Sequence, residues 1–499
     1  MTTLHSAKEI IRTIRQIRIP TTEVSMYKLI VEKELREIIG STKFALTFGV
    51  CAVLILLTFY VGGRNYQVSQ KQYEAAIAEN FRQMEGLTDW MMVRNHRIFL
   101  PPQPLAALVT GISNDIGRNV EVRGRGEIGA EDSRYGDDPI FAVFRFLDLD
   151  FVFQIVLSLF AILFAYDAIN GEKERGTLRL SFANAVPRDK YILGKITGAF
   201  LALAIPLLIP ILLGCVILPL LGVPMAGNDW SRLALVILTG FLYFGAFLTL
   251  SVFISALTQR SSSSFLLLLV VWIFAVLIVP RTSVLLAGRA VKVPSLDEHA
   301  SQRARLAAQL WQEDRGKMAE FKPSADVREN PERMMSEFNT FMQKLGDERE
   351  QKMQALSTRL NEERRNREAV RERVAFGLAR ISPAAAFSLA TTNLVGTSLD
   401  LKQHYRNAAT DYQQTYAKFM KEKTGMLMGG FRVMAFRHTD GPEAKKDPIN
   451  TREIPPFVYT AIPLKDVFGA ALVDLGVLAL FNLVFFAGSY VAFLKYDVR

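Results

Sequence analysis

The chain has 499 residues, half of them apolar, with a formal net charge of +10 and two cysteines. The apolar residues fall into long blocks rather than scattering at helix or strand period, which excludes an ordinary soluble domain. Cys51 and Cys215 both lie inside such blocks, so no disulfide framework can be read. The positive balance is best explained by basic residues held beside anionic headgroups, so no nucleic-acid partner is expected.

In chain order, residues 1–43 carry Lys8, Arg12, Arg15 and Arg18 ahead of no apolar core, so no cleavable signal peptide is read. The stretch Ile10 to Ile19 reads equally as a basic amphipathic surface helix or a poorly ordered tail. Six apolar blocks then mark six membrane spans, at 44–62, 151–166, 191–221, 233–257, 265–279 and 467–494. Pro206, Pro210 and Pro219 interrupt the third and read as a hinge, a cavity or tolerated kinks. The short connections are sorted by charge. Lys28, Lys33, Arg36 and Lys43 precede the first span, five basic residues follow the second, Arg260 follows the fourth, and Lys495 and Arg499 end the chain in 495–499. The opposite short loop, Gly222 to Ser231, holds Asp229 and no Lys or Arg. This pattern predicts both termini and the 167–190 segment on the cytoplasmic side, with 63–150 and 281–465 extracytoplasmic.

The two long segments read as folded and mainly helical. A helix is expected to continue from the first span over Gln67 to Met92, and Pro101-Pro102-Gln103-Pro104 to break it. Pro331 to Arg380 repeats apolar residues at steps of three and four, as one long amphipathic helix does. Leu401 to Lys423 puts Tyr405, Tyr412, Tyr416 and Phe419 on one stripe, stopped by Gly425, and Gly429 to Pro456 reads as loop with a short strand. The fold class is therefore an all-α integral membrane protein with a large helical extracytoplasmic domain.

The residues that point to function follow the second span: Asp167, Ile169, Glu172, Lys173, Glu174, Arg175, Gly176, Thr177 and Leu178, then Pro187-Arg188 and Gly194-Lys195. This run resembles the cytoplasmic coupling segment of ABC-2 type permeases. In that resemblance Glu32 to Glu37 is the interfacial elbow helix. PPQPLAALVTG from Pro101 and ISPAAAFSLATTNLVG from Ile381 resemble outer elements of the subset with enlarged loops. That subset includes permeases related to nitrous-oxide-reductase-maturation and gliding-motility transporters. The likeness implies an ATPase-coupling role for Asp167, Glu172 to Thr177 and Arg188. It also implies a separate ABC ATPase in two copies that binds ATP and Mg, a second permease (the same chain or a related one), and surrounding lipid. The short fifth-to-sixth connection usual in the family is replaced here by almost two hundred residues, which leaves the substrate open. The plainer account of Glu172 to Thr177 is a charged loop anchoring a helix end.

No P-loop is present: Gly194-Lys195 is followed by Ile196 and preceded five positions back by Asp189. This chain is thus expected to bind no cofactor and to catalyse nothing itself. The five histidines are dispersed and no G-x-S-x-G occurs, so neither metal binding nor hydrolysis has support. Asp474 and Asn482, inside the last span, are candidate pathway residues, because intramembrane polar groups are costly. Two functions are weighed: a transport permease, with export the expected direction across a bacterial inner membrane, and a mechanotransmitting scaffold whose extracytoplasmic domain binds a partner.

Overall fold

Ser41 sets the first boundary. Its Oγ accepts from Phe44 N at 3.2 Å, separating helix α1 (Glu23–Ile39) from α2 (Thr42–Arg82). The computed structural model describes residues 23–93, 96–113, 116–122, 130–131, 148–183, 186–322, 331–424 and 447–495. The readings of Ile10 to Ile19, of Arg499 and of most of Gly429 to Pro456 lie outside them.

Among the described residues six helices are long and apolar enough to cross a membrane. They are α2, α3 (Leu149–Glu174), α5 (Arg188–Leu220), α6 (Gly227–Leu257), α7 (Ser261–Ala290) and α12 (Leu464–Leu494). Each outruns its apolar block, because backbone hydrogen bonding does not stop at the edge of the hydrocarbon. The helix α5 runs unbroken through Pro206, Pro210 and Pro219, as tolerated kinks allow. Lipid offers no hydrophobic drive between helices, so contact rests on close packing. Thus Phe59, Phe153, Phe244 and Phe247 are wholly enclosed at the centre of the bundle.

Two spans contain π-helical turns, Val152–Leu157 in α3 and Ile273–Ile278 in α7. Such turns disturb the i→i−4 ladder and release carbonyls to other partners. Gln154 O accepts from Ser158 Oγ at 2.5 Å and Tyr243 Oη at 2.9 Å, and Ala275 O accepts from Ser382 Oγ. Both turns flank α10 (Pro383–Val395), which is buried along almost its whole length and packs on α6 and α12. The sequence reading places α10 in the extracytoplasmic segment 281–465. At 13 residues it is too short to span, and it enters the bundle as a buried plug.

Beyond the bundle a second core forms. Strands β1 (Arg97–Phe99), β2 (Asn119–Glu121) and β3 (Ala130–Glu131) make an antiparallel sheet in that order, a feature hydrophobic patterning had hidden because each strand has three residues or fewer. The predicted helix past the first span ends at Arg82, short of Met92, and a 3₁₀ turn at Trp90–Met92 follows. The tyrosine stripe of α11 (Asp400–Thr424) covers the sheet. Tyr405 Oη lies 3.2 Å from Ile98 O and 3.1 Å from Arg118 O. Tyr412 Oη donates to Pro455 O at 2.7 Å, so His96 Nε2–H is the donor in its 2.8 Å bond to Tyr412, and Asn80 Nδ2 faces Nδ1.

Helices α8 (Leu296–Ala319) and α9 (Pro331–Ala379) form an antiparallel arm. Phe321 packs on Phe338 and Phe341, Arg349 pairs with Asp314 at 2.8 Å and stacks on Trp311, and Arg364 reaches Pro294 O at 3.2 Å.

Burial lowers the His96 pKa from 6.5 to about 4, so the fold holds a neutral ring. As pH falls the unfolded chain takes the proton first. The stability from this residue is therefore complete above pH 6.5 and is lost between 6.5 and 4, on the order of 3–4 kcal/mol at about 1.4 kcal/mol per pH unit. Melting of this domain followed across that window is expected to show the loss, and H96Q to flatten it.

Candidate functional site

Gly176 makes the turn of the charged segment. Its φ of +73° lies in the left-handed region, where glycine carries no Cβ penalty. It separates Asn170–Glu174, the last piece of α3, from α4 (Thr177–Ala183), and Pro187 then starts α5. The resulting handle is braced on several sides. Leu178 is buried, and Phe182 packs on Tyr191 and on Phe493 near the end of α12.

The charges of the handle are largely spent on contacts inside the chain. Glu172 is buried: Oε1 meets Lys33 Nζ and Lys195 Nζ, each at 2.8 Å, and Oε2 accepts from Tyr191 Oη at 2.5 Å. Lys173 Nζ donates to Ala256 O at 2.8 Å and Thr258 O at 3.3 Å, the carbonyl end of α6 where a cation is favoured. Glu174 accepts from Ser261 N at 3.0 Å and Ser261 Oγ at 2.8 Å, the amide end of α7 where an anion is favoured. Asn170 adds its side chain to Thr258 Oγ1 at 2.9 Å, while Ser255 Oγ accepts the backbone N–H of Ile169 and Asn170. Arg188 caps α12 through Leu494 O at 2.9 Å. Asp167 stands one turn from Gly171, within the field of Lys43, Arg175 and Lys195. Arg175, Gly176 and Thr177 are exposed at the turn, with Arg175 3.7 Å from Glu37.

Sequence reasoning missed the hub of this arrangement. Lys195, 4% exposed, sits between Glu34 and Glu172, 7% and 9% exposed, at 2.8 Å from each. Four charges, Lys33, Glu34, Glu172 and Lys195, thereby cancel at the meeting of α1, α3 and α5. Burial raises the Glu34 pKa above the ordinary carboxylate value, against the pull of Lys195. The helices come close because Gly194 faces Ile30 and Gly198 faces Glu34: a Cβ on either would fall 2.8 Å from those side chains. The available signal was a lysine inside an apolar run, which demands a partner.

Asp474 and Asn482 lie apart from the handle. Asp474, fully enclosed, takes Arg380 Nε at 2.6 Å and Nη2 at 3.2 Å. Asn482 Nδ2 donates to Leu242 O at 3.0 Å, stapling α12 to α6 where Gly245 leaves room.

Six membrane-crossing helices, with a glycine-turned handle that ends α3 and is braced on four others, and a helix lying alongside, define a multi-pass membrane permease. The chain belongs to the ABC-2 family of transporter proteins, whose profile matches residues 29–498. It is also 35% identical over 127 residues to the probable ABC transporter permease protein NosY of Stutzerimonas stutzeri, across 25% of this chain and 45% of that protein. The chain thus matches under half the length of that relative.

Removing one member of a buried ion pair strands the other charges, at a cost of about 3–5 kcal/mol. Lys195→Met is expected to lower the melting temperature of the purified protein clearly. The triple change Glu34→Gln, Glu172→Gln, Lys195→Met should recover most of that loss in the same thermal-shift measurement.

Proposed function

We propose that this chain is the non-catalytic, membrane-spanning permease subunit of an ATP-driven ABC-2 transporter, moving substrate outward across a bacterial inner membrane. The observation that carries the reading is the handle. One short segment holds the carbonyl end of α6, the amide end of α7 and the clasp to α1 and α5, so displacement of its tip is delivered to several spans together. In this reading the handle and both termini are cytoplasmic, as the clustering of Lys and Arg in the short loops favours. Two copies of a separate ABC ATPase, with ATP and Mg, seat against Arg175 to Thr177 and the exposed Arg179 and Leu180. A second permease, the same chain or a related one, completes the pathway. Glu172, Lys173, Glu174 and Arg188 then transmit motion rather than recruit the motor, and Asp167 supports them from the end of the span.

Recruitment and transmission are therefore separable. The double change Arg175→Glu, Arg179→Glu is expected to cut co-purification of the ATPase at least tenfold while the permease still folds by circular dichroism, since interface charges set register and encounter. Retention of the ATPase at wild-type level by that variant would refute the docking assignment.

The size of the arm favours a second reading, a mechanotransmitting scaffold without transbilayer transport. Excising everything from Pro294 to Pro455 does not discriminate the two, because it removes α10 from the membrane bundle. Excision of 296–362 with a short linker does, since Arg364 already contacts Pro294. A pump is expected to keep substrate-stimulated ATP hydrolysis in nanodiscs after this excision; a scaffold loses its activity entirely.

A further inference from the structure

We infer that the arm is geared to the membrane helices, with the Arg380–Asp474 pair as the latch that makes arm and bundle move together. The inference rests on the reading above, that an ATPase drives the bundle.

Asp474 is on α12 with no exposed surface, and its carboxylate takes two nitrogens of one guanidinium, a planar fork that fixes direction as well as distance. Arg380 follows directly on Ala379, the last residue of α9. Two residues later Ser382 caps α10 through Ala384 N at 3.1 Å, while its hydroxyl donates to the π-turn carbonyl Ala275 of α7. Gln154 of the other π turn donates to Ala384 O at 3.0 Å. Within five residues the root of the arm is thus tied to α12, α7 and α3. At the far end of α10, Arg232 of α6 reaches Val395 O at 3.4 Å. The plug is held by polar bonds to the four spans around it.

The arm itself is built to carry displacement. The helix α9 has 49 residues without an internal proline, so it extends about 73 Å, and Glu363–Arg367 and Arg364–Glu368 pairs support it near the root. A rotation of about 10° at the root moves its start by roughly 13 Å. Neither Arg380 nor Asp474 touches the handle, so their role is to position the arm, and it is distinguishable from coupling to the ATPase.

The test uses the full permease–ATPase complex in nanodiscs, spin-labelled at Asn228→Cys, at the start of α6, and Gln343→Cys on the arm. The two native cysteines are buried. Distances are measured by pulsed electron resonance without nucleotide and with ATP trapped by vanadate. Wild type is expected to shift its main distance by at least 5 Å. The double variant Arg380→Gln, Asp474→Asn, which leaves no unpaired buried charge, is expected to lose that shift while hydrolysing ATP within about twofold of wild type. The swapped pair Arg380→Asp, Asp474→Arg provides a second variant and is expected to recover part of the shift. A shift that persists in the neutral double variant, or a wild-type arm that stays still while ATP is hydrolysed, overturns the latch. A complex that neither binds nor hydrolyses ATP overturns the permease reading instead.

Discussion

A charge withdrawn from water must be met by another charge or by oriented dipoles, and this requirement organises both ends of the molecule. At one end Lys195 is held by Glu34 and Glu172; at the other Asp474 is held by Arg380. Each cluster joins a membrane-crossing helix to a separate element, α1 and the handle in the first case and the arm in the second. The fork of Arg380 on Asp474 fixes direction as well as distance, which non-directional apolar contact does not. Each cluster therefore dictates the local geometry of the bundle rather than merely permitting it.

The handle shows how the charges of a motif can be engaged within the chain that carries it. Its alternating charges do serve coupling in the reading advanced above, but through contacts inside the chain. Lys173 and Glu174 each sit at the helix end whose dipole suits their sign. A segment wired in this way behaves as a rigid block, and rigidity is what transmission between two proteins needs.

Much of the fold was legible because its signals are long. Six apolar blocks, the period of Pro331 to Arg380 and the tyrosine stripe from Tyr405 each extend over many residues. What escaped is short or non-local. The three strands are too brief to alternate visibly, and α10 is too short to resemble a span although it is buried like one. The Lys195 hub joins residues 34, 172 and 195, which no local window brings together. Asp474 was marked as costly, yet its partner lies 94 positions away. The π turns carry no compositional mark at all.

Those π turns bear on the reach of the whole bundle. Each adds a residue to a turn, and reverting one to regular α geometry would swing everything beyond it by about 100° around the helix axis. In α7 that swing would turn Val279–Ala290, and with it the seat on which α9 rests, to face another neighbour. A single-residue slip in the wall of the membrane is thus enough to redirect a rod several nanometres long.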